Sequence, residues 1–276
     1  MATGTFPAVL TETEREQDNQ QFNRYAPPRT NGEPDSTRQG NYLAEPQALP
    51  AGNAKEWIGA AWRLFKLRPG KLIGAALLFG AINIGLGMIP YIGGLLQAAI
   101  SIFEIAGFAF IAKQLEEEGD FEFGQIFIGF QENTKSLAII GAIGAVVALI
   151  SNLAAIILIV GQVGDVSSAA NLDLDEAQMM SAGLSVMALS LILGIVYSAF
   201  TFLAPALIIL ENEPPKRAIL LSWQGFSRNI GGAVFCSLMM GLLFIVGMIP
   251  IFLGLLVVMP MLMLVSYAVY RDLFFK

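Results

Sequence analysis

"GMIPYIGGLL", Gly87 to Leu96, returns as "GMIPIFLGLL", Gly247 to Leu256. Each phrase sits inside a long apolar run: no Lys or Arg occurs between Lys71 and Lys113, nor between Arg228 and Arg271. One helix over the first run would be about 60 Å long, twice the hydrocarbon thickness of a bilayer. The run must double back, and the phrase marks where. The residue before a proline is pushed out of the helical region, and proline needs no N–H partner at the first position of a new helix. Gly87 and Gly247 are therefore expected to loosen the end of one span and Pro90 and Pro250 to open the next. Gly93, Gly94 and Gly254 are expected to give the tips further freedom.

Composition agrees with spans of this kind. Of 276 residues 55% are apolar and 14% charged, and the mean hydropathy is +0.63; a soluble domain carries about a quarter charged residues. The chain has no histidine, which removes Ser-His-Asp and Cys-His triads and His-ligated metals. Its single cysteine, Cys236, permits no internal disulfide and no cysteine cluster. A net charge of −6 argues against nucleic acid as a partner. Residues 1–54 hold four arginines and seven acids in a polar, Gln/Asn/Pro-rich stretch. They read as a disordered cytoplasmic tail with no secretory leader, followed by a membrane domain over 55–276.

Six spans are expected, at about 72–89, 91–112, 137–161, 183–210, 232–249 and 251–270. All sixteen Lys and Arg residues fall in the tail, before span one, between spans two and three, between four and five, or at the C-terminus. The other three loops have none, and the loop 162–182 carries Asp165, Asp173, Asp175 and Glu176. The positive-inside rule then puts both termini in the cytoplasm. The acidic run 171–178 lacks the spacing and the glycine of a calcium loop, and "LEEEGDFE" (115–122) reads as a charged turn or a partner contact.

The repetition extends beyond the hairpin tips. "AWRLFKLR" (61–68), "IFIGFQEN" (126–133) and "SWQGFSRN" (222–229) precede spans one, three and five, and "LEEEG" (from Leu115) and "LENEP" (from Leu210) close spans two and four. Aligned, they place Trp62 and Phe65, Phe127 and Phe130, and Trp223 and Phe226 at i and i+3, with Asn133 matching Asn229. This spacing puts each pair on one helix face, and such rings favour the membrane–water boundary. Three copies of one unit follow: an interfacial helix, an outward span and a return span. With Trp57 these aromatics are expected as interfacial anchors. Lys55, Arg63, Lys66, Arg68 and Lys71, against Glu56 alone, would draw the first such helix toward anionic lipid, though residues so placed also serve topology alone.

Glu104 is the one ionisable residue well inside a span. A carboxylate about 12 Å from the end of span two must be protonated or paired. It is either a proton or cation site, or a hydrogen-bonding partner of Asn83 or Asn152 that holds helices together. Gly80, Gly85, Gly141, Gly144 and Ala145 offer small surfaces for close helix approach, and Pro205 is expected to kink span four.

"WRLFKLRPGKLIG" (62–74), "FIGF" (127–130), "FLAPALIILE" (202–211) and "IPIFLGLLVVMPMLMLVSYAVYRDLF" (249–274) resemble a family of uncharacterised polytopic inner-membrane proteins of Gram-negative bacteria. More distantly, the pattern is similar to the membrane domain attached to some glycerophosphodiester phosphodiesterases, whose catalytic barrel has no counterpart here. The resemblance covers residues 55–275 and implies an inner-membrane location; it carries no substrate or catalytic residue.

The expected architecture is thus an all-α, six-helix transmembrane bundle of three repeated units behind a disordered tail. No catalytic residue, cofactor site or metal site is expected. The functional expectation is a non-enzymatic scaffold, assembly or lipid-organising protein whose partners are membrane lipids and a membrane protein or a second copy of itself. The alternative is a small transporter or channel working through Glu104.

Overall fold

In a computed structural model the described residues are 42–90, 92–163, 176–249 and 253–275. Residues 1–41, Pro250 and the loop acids Asp165, Asp173 and Asp175 lie outside them. Nine α-helices are seen among the described residues: α1 (Ala54–Leu67), α2 (Pro69–Gly87), α3 (Gly93–Glu118), α4 (Thr134–Val163), α5 (Glu176–Thr201), α6 (Ala204–Glu211), α7 (Pro215–Arg228), α8 (Ile230–Met248) and α9 (Leu255–Phe274). A 3-10 segment, Phe123–Phe130, precedes α4. Among the described residues six stretches are long and apolar enough to cross a membrane: α2, α3, α4, α5 together with α6, α8 and α9. The chain is a multi-pass membrane protein.

Local chemistry sets the boundaries. Pro69 and Pro215 open α2 and α7 in the first turn, where a missing N–H costs nothing. Gly119, at φ 71°, closes α3 in the left-handed conformation and donates its N–H to the Leu115 carbonyl. The expected kink in span four is a full break: α5 stops at Thr201 and Pro205 sits in the first turn of α6. A Pro at that place leaves backbone groups without helical partners. Ser222 of α7, 1% exposed, accepts from the Leu203 N–H at 3.2 Å and donates to the Ala199 carbonyl at 3.3 Å.

The hairpin tips differ from the expectation. α3 begins at Gly93, so Pro90 lies in the turn rather than at the head of the helix. Instead, Ile92 and Gly93 donate their N–H groups to the carbonyls of Pro90 and Ile89. Gly94, expected to lend freedom, has open space where a side chain would be; at Gly87 a Cβ would meet only the Gln97 side chain. The glycine that matters is Gly93, where a Cβ would overlap the Leu86 carbonyl oxygen. In the second hairpin a Cβ on Gly254 would stand 2.5 Å from the Gly247 Cα. Among the described residues only Gly119 is a glycine at positive φ. Gly93, Gly247 and Gly254 serve close approach of two backbones, and conformational freedom is not what they supply.

Within each pair the two helices have different surroundings. The apolar stretches of α2, α4 and α8 are 17%, 6% and 22% buried, against 50%, 50% and 56% for α3, α5–α6 and α9. The second helices pack on one another, α3 against α6 and α9, and α6 against α9, while the first helices lie outside them. The core sits at the end that carries α1, the 3-10 segment and α7, with Phe108, Ile111, Leu115, Ile126, Leu207 and Phe274 all 1% exposed or less.

The folded part begins before the expected boundary at residue 55. Residues 42–53 lie along the end of α9, where helix carbonyls lack partners of their own. Leu43 and Gln47 donate their N–H groups to the carbonyls of Phe274 and Leu273, and the Gln47 amide reaches those of Asp272 and Phe275. Tyr42 also stacks on Phe274 and Leu49 packs against the core, but these few apolar residues are outweighed in composition by the polar residues around them.

Candidate functional site

Two of the three expected intramembrane polar residues come together. Glu104, 6% exposed, stands on α3, and Asn83 on α2 donates its Nδ2 to the Glu104 Oε1 at 2.7 Å. The same Nδ2 also reaches the Phe79 carbonyl of its own helix at 2.9 Å. Gln97, one face-repeat before Glu104 on α3, donates to the Asn83 backbone carbonyl at 2.5 Å. Two side-chain bonds therefore tie α2 to α3. Gln97 escaped the sequence reading because a glutamine near a helix start carries no distinctive signal. Asn152 is elsewhere: it faces outward on α4 and bonds the Ala148 carbonyl of its own helix at 2.7 Å.

The expected interfacial aromatics divide. Trp62 (43% exposed), Trp223 (40%) and Phe130 (43%) lie on the surface, and Phe127 and Phe226 are half-buried. Phe130 stacks on Phe103 at 4.5 Å between centroids, and Trp223 on Phe200 at 4.7 Å. Trp57 and Phe65 correct the expectation, because both are buried in the core. The Trp57 ring fills the space left by Gly232, and its Nε1 donates to the Asp272 carboxylate at 2.6 Å. On an amphipathic helix, apolar spacing alone does not say whether the stripe meets lipid or protein.

The basic cluster is partly committed. Lys71 and Arg68 both pair with Asp120, at 2.6 and 3.0 Å. Lys66 lies over the Trp62 ring at 5.9 Å. Lys55, Arg63, Lys66 and Arg68 are exposed and Lys71 is half-buried.

At the core end the second helices are joined by charge-assisted bonds. Tyr267 and Tyr270 of α9 donate their hydroxyls to Glu116 of α3 and Glu211 of α6, and Arg271 pairs with Glu116 at 3.5 Å. Glu116 and Glu211 follow Leu115 and Leu210 in the matching phrases "LEEEG" and "LENEP". Asn133 and Asn212, both at positive φ, bond to each other at 2.8 Å, and Asn133 also donates to the Ile208 carbonyl. Asn229, matched to Asn133 in the repeat, is 4% exposed and bonds Leu49, Gln47 and Gly225. Asn133 and Asn229 thus both bond backbone groups of distant segments.

A cavity of about 110 Å³ lies between α5 and α8, with α7 and the end of α9 closing one side. Its lining includes Trp57, Ala199, Phe202, Ala233 and Cys236. Among the described residues no group of three or more Cys, Asp and Glu side chains is placed to hold a metal ion.

Fold and site together define a multi-pass membrane protein with six candidate spans among the described residues, in which Asn83, Glu104 and Gln97 join two of the helices. No protein family, curated protein or solved structure matches the chain.

Proposed function

We propose that this is a non-enzymatic membrane protein that works by association, as a scaffold, assembly or lipid-organising module of a bacterial inner membrane with both termini cytoplasmic. The observation that carries this reading is the Asn83–Glu104 bond. The single carboxylate at mid-span is buried and engaged by the amide of the paired helix, with Gln97 closing the same joint. The bond has the form of an interhelical hydrogen bond that completes a hairpin.

Three copies of one unit support the same reading. Each pair of long helices follows a short helix, each second helix faces the centre, and the matched Glu116 and Glu211 both bond tyrosines of the last helix. Such a design uses its polar residues to hold a fixed shape and offers its first helices, chiefly α4, to lipid or to a neighbour.

Glu104→Gln tests it. The amide keeps an acceptor for Asn83 and cannot ionise, so the variant should fold and replace the normal chain in cells that need it. A folded Glu104→Gln protein that fails in such cells would assign Glu104 to an ion path and sink the proposal.

A further inference from the structure

Two of the three second helices pack against the first helix of another pair. α3 packs along α4, and α9 closes back on α2. At the first of these joints Gly141 presses on the Ala99 carbonyl, with no room for a side chain; at the second, Leu72 and Ala75 are fully buried. The remaining joint, between α5 and α8, is open: the two helices scarcely touch, and the cavity of about 110 Å³ occupies the gap. Trp57 (2% exposed), Ala199 (2%) and Cys236 (6%) belong to its inner wall. Phe202 and Ser237 line it too and are exposed, so the mouth opens sideways between two spanning helices.

We propose that this cavity takes one acyl chain of a bilayer phospholipid. The chemistry of the wall is that of a hydrocarbon site. Its inner polar groups are already used, Ser222 by Leu203 and Ala199 and Asn229 by residues 47, 49 and 225, while Ser198 is exposed and bonds the Ile195 carbonyl of its own helix. The one free hydroxyl, Ser237, sits at the exposed rim. Size excludes a second copy or a partner helix, since a helix with its side chains is about 10 Å across. A dry apolar cavity of about 150 Å³ takes a benzene-sized molecule, so this one takes a few carbons in a row. Left empty, its lining would lose dispersion contacts, and in a membrane the mouth is always next to lipid chains. The proposal does not depend on the scaffold reading, only on the chain spanning a bilayer.

Trp57 is the reporter. Trp62→Phe and Trp223→Phe, both at exposed positions, leave it as the sole tryptophan. This protein is placed in vesicles of phosphatidylethanolamine and phosphatidylglycerol with either ordinary or mid-chain-brominated acyl chains. The expected result is a clear loss of Trp57 emission in the brominated vesicles, although the indole is shielded from bulk lipid. Ser237→Phe or Ala233→Leu, which fill the cavity, should restore it. Equal emission in the two kinds of vesicle, or a loss that persists in the filled variants, overturns the proposal. Should both filled variants fail to fold, native mass spectrometry of the unaltered chain decides: one retained phospholipid supports the site, and a bare chain overturns it.

Discussion

Asn83 is held between two carbonyl-type acceptors, one on its own helix and one on Glu104, while Asn152 uses its amide on Ala148 and faces outward. The cost of removing each follows. Asn83→Ala leaves Glu104 without its donor in a buried setting and should lower stability by about 1 kcal/mol, the scale of an interhelical bond in a membrane protein. Asn152→Ala removes only a bond within one helix and should stay within about 0.5 kcal/mol. Reversible unfolding of the two variants in mild detergent compares them directly, and equal losses would mean that the joint between α2 and α3 contributes nothing. At this scale the sequence named the right residue types: apolar spans that carry Asn83, Glu104 and Asn152 need a hydrogen-bond partner for each. It did not pair them, since Asn83 and Asn152 are equivalent to a linear reading.

Elements settle by what meets their ends. α1 looks like a helix for the headgroup layer, and its outer face, Trp62, Arg63 and Lys66, keeps that composition. Its inner face packs on α9, with Trp57 bonded to Asp272. The start of α2 is pinned differently, through Asp120. Its carboxyl is pushed down from 3.8 to about 2, first by the Lys71 hydrogen bond, then by the Phe121 N–H, with Arg68 adding to both. A depressed value in the folded state means that the unfolded chain takes up the proton first. The clamp therefore contributes fully above 3.8 and fades as pH falls toward about 2. A carbonyl-carbon titration should find the Asp120 midpoint near about 2, and Lys71→Met should move it back up. A midpoint unmoved by that change would show that the lysine is not the cause. Salt should weaken the effect, because the pair is solvent-facing.

For the whole molecule the decisive contacts join the second helices. Tyr270 and Glu211 come from different pairs, as do Tyr267 and Glu116, so these bonds hold the centre together across long stretches of chain. A double-mutant cycle of Tyr270→Phe with Glu211→Gln should give a coupling of about 1 kcal/mol. A coupling near zero would leave the centre held by apolar packing alone. The phrase at 115–122 reads in sequence as a charged turn or a partner contact, yet residues 115–118 form the last turn of α3, where Glu116 bonds Tyr267 and Arg271. Only the direction of the helix face sets Glu116 apart from its neighbours Glu117 and Glu118 in that short acidic run.

The sequence by itself determined the number and approximate limits of the spans, the places where the chain doubles back, and the short aromatic helices before each pair. These follow from bilayer thickness, from proline and glycine chemistry, and from helical spacing, all of which act over a few tens of residues. Only the tertiary structure decided which faces meet protein and which meet lipid, because both are equally apolar and hydropathy does not tell them apart. For the same reason it alone placed Trp57 in the core, joined Glu104 to Asn83 and Gln97, and left α5 and α8 apart around a cavity that no stretch of sequence encodes.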